Sequence, residues 1–150
     1  MIFENPINEF NWILGKWKGE MENEYGKFES SISFNLYGSE IIKYEQSIVH
    51  ENSTKIIEIG YFFFDKINEE LNNIIFNEEG YIEKSHIIKS EDKKLLIIRS
   101  IFDYGFNLPP NMKIIREIKQ TENDKELEVI IKMGIEEKVI SSSLYSRIEI

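Results

Sequence analysis

The stretch Ile42-Lys43-Tyr44-Glu45-Gln46-Ser47-Ile48 decides the fold, because it alternates without a break. Ile42, Tyr44, Gln46 and Ile48 fall on one side of an extended chain, and Lys43, Glu45 and Ser47 on the other. Period two means a β-strand with one buried and one wet face. The same pattern returns downstream. Met112, Ile114, Arg116 and Ile118 oppose Lys113, Glu117 and Lys119, and Leu127, Val129, Ile131 and Met133 oppose Glu126, Glu128 and Lys132.

Turn-forming residues punctuate the chain at short intervals, at Tyr25-Gly26, Gly38-Ser39, Glu51-Asn52-Ser53, Asp65 to Asn68, Asn77 to Gly80, Glu91-Asp92, Tyr104 to Asn111, Glu122-Asn123-Asp124 and Gly134. Short strands between regular turns indicate a sandwich or a barrel. No gap holds a helical crossover, so successive strands pair antiparallel. The spacing predicts strands near 15–24, 28–37, 40–49, 54–65, 70–76, 80–90, 94–102, 112–120, 125–133 and 137–149. A closed meander of about ten strands leaves no open edge. The expected fold is therefore an all-β, antiparallel up-and-down barrel, one domain over residues 1–150. A short helix, about Ile7 to Leu14, precedes it, with Pro6 suited to its first turn. The runs Leu95-Leu96-Ile97-Ile98 and Tyr61 to Phe64 are apolar on both faces, which suggests a covered outer wall and a monomer or homodimer.

Composition supports this reading. The 150 residues contain no Ala, the best helix former, while Ile, Phe and Tyr, which favour strands, are abundant. The absence of Cys excludes disulfides, thiol catalysis and thiolate metal sites. A net charge of −9 argues against nucleic acid and anionic membranes as partners. The start, Met1 to Pro6, has no basic, apolar leader pattern, and no apolar run approaches the roughly 20 residues of a membrane helix. A cytoplasmic location is the expectation.

The segment Leu14-Gly15-Lys16-Trp17-Lys18-Gly19-Glu20, directly after the short helix, resembles the calycin signature, and most closely the opening of the nitrobindin-like, fatty-acid-binding-protein-like haem barrels. Ile42-Lys43-Tyr44-Glu45-Gln46 is similar to that family's Leu-x-Tyr-x-Gln. Glu58-Ile59-Gly60-Tyr61 is similar to its Glu-x-Gly-Tyr. The resemblance implies a ligand-holding barrel of lipocalin-like architecture. It also implies a ferric haem acting on nitric oxide or peroxynitrite, held by a His of the last strand that is followed by Leu. Here that position reads Ser143 before Leu144. Ser is no haem ligand, so the departure weakens the haem and the isomerase activity while leaving the barrel. Calycins also stack a last-strand Arg on the first-strand Trp, here Arg147 on Trp17, and Gly15 belongs to the same structural signature.

Several residues are candidates for function. Arg116 shares its face with Met112, Ile114 and Ile118, and a guanidinium in an apolar lumen must be paired. The partner is either a ligand carboxylate, which its planar fork suits, or an internal Glu or Asp. Tyr44, Gln46 and Tyr61 are predicted to point inward, to orient a ligand or to form a satisfied buried network. Tyr145 is a second donor to an anionic head group, although the more apolar face of its strand (Ile140, Leu144, Ile148 and Ile150) would put both Tyr145 and Arg147 outside. His86, if inward, is a substitute axial ligand for haem, and His50 sits at a turn. Two His and no Cys give no metal site of several imidazoles. The loop Tyr104 to Asn111 is either a portal flap or a plain connection. Neither a nucleophile triad nor a phosphate loop is recognisable.

Three readings follow. The first is a barrel holding a small apolar ligand, fatty-acid-like or otherwise hydrophobic, with an anionic head as one option and no cofactor. The second is a haem protein of the nitrobindin type. The third is a filled barrel whose outer surface is an interaction module. A non-enzymatic role is favoured over catalysis.

Overall fold

A computed structural model of the protein describes residues 5–80, 82–88, 95–104, 114–134 and 136–148, with the backbone alone for 95–104. Ten strands follow the N-terminal segment: β1 Gly15–Asn23, β2 Gly26–Tyr37, β3 Ile41–His50, β4 Ser53–Asp65, β5 Glu70–Asn77, β6 Ile82–Ile88, β7 Leu95–Tyr104, β8 Ile114–Gln120, β9 Glu126–Met133 and β10 Lys138–Arg147. Each pairs antiparallel with its neighbours in sequence, and β10 returns to β1 through Trp17↔Arg147 to Asn23↔Ser141. The sheet is a closed barrel with no free edge, as period-two alternation and short turns require.

The helical segment is 3₁₀, Pro6–Ile13, rather than α. Asn5 caps it by accepting a hydrogen bond from the Ile7 amide at 3.0 Å, and Pro6 opens it without wasting a donor. Its Ile7, Phe10 and Ile13 are buried against Trp17, Phe34, Ile42 and Phe62. The segment thus plugs the base of the barrel with apolar side chains, which explains why so short a turn is stable.

Arg147 locks this plug. Its guanidinium lies 4.1 Å from the Trp17 ring centre and donates to the carbonyls of Leu14 and Trp12. The Trp17 indole N–H in turn donates to the Ile13 carbonyl at 2.9 Å. One cation therefore joins the last strand, the first strand and the plug. Gly15 makes room for it. Its φ of +127° suits glycine, and a Cβ there would sit 2.6 Å from Arg147 Nη1.

The apolar stripe of the last strand misleads. Leu144 is 53% exposed and Ile140 and Ile148 are exposed, whereas Tyr145 is fully buried. A register shift between Val139 and Ser141 separates Ile140 from the rhythm of the rest. The inward face is chosen by the polar anchors of Tyr145 and Arg147 rather than by the count of aliphatics. Tyr61 is also corrected. Phe62 is the residue of that pair that enters the core, and Tyr61 stands outside, edge-on to Tyr37 with ring centres 6.4 Å apart. The side chains of 95–98 lie outside the described residues.

Gly26 has a similar φ of +120° but nothing within 4 Å of an added Cβ. Both Gly15→Ala and Gly26→Ala are therefore expected to lose about 1–3 kcal/mol through backbone strain. Gly15→Ala should lose on the order of 1 kcal/mol more through displacement of Arg147. Urea denaturation of both variants measures the excess, and in an Arg147→Ala background it should vanish.

Candidate functional site

Inside the barrel, six strands contribute to one connected polar layer. Period two brings Ser30, Gln46, Glu58, Glu83, Arg116 and Tyr145 inward from β2, β3, β4, β6, β8 and β10. Arg116 crosses the lumen. Its Nη1 donates to Glu58 Oε2 at 3.1 Å and its Nη2 to Glu58 Oε1 at 3.4 Å. Nη2 also donates to Glu83 Oε2 at 2.8 Å, and Nε to Glu83 Oε1 at 3.3 Å. Both carboxylates are buried, Glu58 at 9% and Glu83 at 4% exposure. The Ser85 hydroxyl adds a bond to Glu83 Oε1 at 3.2 Å. Burial by itself pushes the Arg116 guanidinium down, but the two carboxylates outweigh it and hold its pKa well above the ordinary value.

The layer continues through Tyr44, whose hydroxyl donates to Gln46 Oε1 at 2.9 Å and faces Glu58 Oε2 at 3.3 Å. Gln46 Nε2 donates to the Tyr145 hydroxyl at 3.2 Å and to Ser30 Oγ at 3.3 Å, and approaches Met21 Sδ at 3.5 Å. Ser30 Oγ and the Tyr145 hydroxyl are 2.9 Å apart. Tyr44 is held in register by its ring, stacked on Phe62 at 6.1 Å and packed on Phe34 at 5.5 Å.

This layer divides the lumen. Toward the plug, among the described residues, side chains fill the interior. The space left between Ile32, Tyr44, Phe62, Ile75, Arg116, Ile118 and Val129 is about 10 Å³, the room of roughly one water. Toward the opposite end lies a cavity of about 720 Å³, of a size that suits a small molecule. Met21, Ile57, Ile131, Met133, Val139 and Ile140 give its wall an apolar character, Gln46 and Glu58 lie at its floor, and Glu22, Glu24 and Lys138 at its rim.

Of the residues singled out in the sequence, Arg116, Tyr44, Gln46 and Tyr145 meet in this layer. Arg116 is spent on internal carboxylates, which is the alternative to a ligand carboxylate. His86 is corrected. It points outward, 45% exposed, with Nδ1 3.0 Å from Asn72 Oδ1 and 3.7 Å from Glu70 Oε2, because Glu83, Ser85 and Ile87 hold the inner face of its strand. His50 stands exposed at the β3–β4 turn beside Glu51. The stretch 105–113 lies outside the described residues, so the portal loop does too.

Glu58 and Glu83 were missed as site residues. Glu58 alternates with Gly60 and Phe62, so fixing Phe62 as the inward residue would have brought Glu58 in with it. Asn73, fully buried with neither amide atom partnered among the described residues, carried no signal of its own.

The residues do not fit haem. His86 points outward, and His50 stands exposed at the β3–β4 turn and is not among the residues that line the cavity. Position 143, where the resemblance implies a His ligand, holds a buried Ser. The two phenols of the polar layer, Tyr44 and Tyr145, are poor substitutes. Burial, then the charge of Glu58, raises Tyr44 well above the usual phenol range despite Arg116. Burial also raises Tyr145, against hydrogen bonds from Ser30, Ser143 and Gln46. Phenolate ligation is therefore disfavoured. Among the described residues, no group of three or more His, Asp or Glu is placed to hold a metal ion.

A family model described as "THAP4-like, heme-binding beta-barrel domain" matches residues 6–148. The fold is similar to the crystal structure of Rv2717c from M. tuberculosis, with a TM-score of 0.62 and 12% identity, covering 95% of this chain and 97% of that one. A redesigned β barrel, mFAP0, bound to DFHBI, gives a TM-score of 0.47 and 11% identity over 91% of this chain and 100% of its own. No curated protein matches the chain in sequence.

Two outcomes are expected of the polar layer. Arg116→Leu leaves two carboxylates buried without their cation and should cost about 3–5 kcal/mol. Adding Glu58→Gln and Glu83→Gln should restore much of that in a thermal or urea melt. Raised phenol pKa values also favour the folded state only while the phenols stay protonated. That contribution is fully present below pH 10, the ordinary phenol value, and is lost as pH rises through the folded-state values. The wild type should thus lose stability with rising alkalinity, and less steeply in Tyr44→Phe.

Proposed function

Because the chain belongs to the THAP4-like, heme-binding β-barrel domain family, we propose that it is a ligand-binding barrel whose mouth takes a small hydrophobic molecule other than haem. One observation carries this reading. Above the polar floor lies, among the described residues, a cavity of about 720 Å³ whose wall combines Met21, Ile57, Ile131, Met133, Val139 and Ile140 with polar side chains. Apolar wall, few fixed polar groups and a preformed shape are what small-molecule sites share. The floor is preorganised because each of its polar groups is already bonded to another, so a ligand meets rigid acceptors.

The test uses the four methionines of the chain as probes. With methyl-labelled Met, 1-octanol should shift the signals of Met21 and Met133. Ile131→Trp, which fills the cavity, should abolish those shifts. Shifts absent or confined elsewhere would sink the reading. Hemin is expected to give no histidine-type Soret band with the wild type, and Ser143→His is expected to gain one.

A further inference from the structure

The charge arrangement around the mouth selects among hydrophobic ligands. Two carboxylates, Glu58 and Glu83, share the single guanidinium of Arg116. Among the described residues this leaves one negative charge uncompensated in a layer sealed from water on its lower side. Arg116 makes four contacts to the carboxylates, so an anionic head group would have to displace one of them. The donors of Gln46 are likewise directed at Ser30, Tyr145 and Met21. What the floor offers to the cavity is acceptor capacity, since a carboxylate holds about four lone-pair sites and the contacts of Glu58 number three. Among the described residues, the rim of the cavity holds Glu22 and Glu24 against one cation, Lys138, and the chain as a whole carries −9.

We propose that the mouth binds an amphiphilic ammonium, an apolar alkyl or aryl body carrying a primary amine, with the ammonium donating to Glu58 and the body lying against Met21, Ile131 and Met133. The inference rests on the mouth being the ligand site and adds the sign of the ligand's charge. The ammonium supplies the positive charge the buried layer lacks. It forms a charge-assisted hydrogen bond in a site partly shielded from solvent, where such bonds are stronger than in water. The same carboxylate repels a fatty acid and gives an alcohol only a neutral contact.

Three eight-carbon probes, octylamine, 1-octanol and octanoate, separate the possibilities when titrated at pH 7 and low salt with the Met21 and Met133 methyl signals as readout. Octylamine should bind at least about tenfold more tightly than either of the others. Its advantage should shrink with added salt and fall to parity in Glu58→Gln, a variant of nearly unchanged shape whose folding is checked by its tryptophan fluorescence. Equal or tighter binding of 1-octanol or octanoate to the wild type, through the same two methyls, would overturn the ammonium and leave the mouth site standing. If none of the three probes moves those methyls, the mouth itself is wrong and the ammonium falls with it.

Discussion

A guanidinium bridging two carboxylates inside a β-barrel sets the terms for everything around it. Removed from water, each of these ions costs several kcal/mol unless its partners are close and its remaining hydrogen-bond sites are filled. Arg116, Glu58 and Glu83 meet that requirement only because three strands far apart in sequence present them at one height of one lumen. The strand register is therefore constrained from inside. A slip of one residue in β8 would put Arg116 into solvent and strand both glutamates. The secondary bonds from Tyr44, Gln46 and Ser85 satisfy what the triad leaves open. An apolar core tolerates many registers, whereas a charged one tolerates very few.

The two ends of the barrel divide the work. Below the triad, Trp17, Phe34, Phe62 and the plug residues pack without a sizeable void, and this apolar burial supplies most of the stabilisation. Arg147 fastens that end by stacking on Trp17 and binding the last carbonyls of the plug. Above the triad, among the described residues, the walls continue around a cavity of about 720 Å³. Stability is thus concentrated at one end, and the other is free to hold a guest without paying for it in core packing.

How much of this was legible in sequence follows from what each signal measures. Alternation in 42–48 and 127–133 reports burial of one strand face directly, so the strands and the inward Tyr44, Gln46 and Leu127 could be read off. The Leu14 to Glu20 stretch carried the kinship because Gly15, Trp17 and their distant partner Arg147 solve one local problem that any such barrel meets. One place was misread and one left undecided for the same reason. In Tyr61-Phe62-Phe63-Phe64 and in the last strand both faces carry large apolar side chains, so hydropathy cannot choose between them, and long-range partners decide. Tyr145 turns inward because Ser30 and Gln46 await its hydroxyl. His86 turns outward because Glu83, two strands' width from Arg116, must turn in. Glu58 and Glu83 were invisible as core residues because a lone Glu in a strand is read as wet until its cation is known.

Family membership and ligand chemistry can part company without disturbing the fold. The plug, the Trp17–Arg147 stack and the closed meander depend on residues at the base of the barrel. An iron ligand would depend on one side chain on β10, and there the chain has Ser143. Ser143 fits the barrel at that place as a small, buried side chain. At the mouth the cavity meets a floor in which Gln46 and the buried Glu58 contribute to the lining. The guest such a floor prefers is decided by charge and donor count rather than by descent.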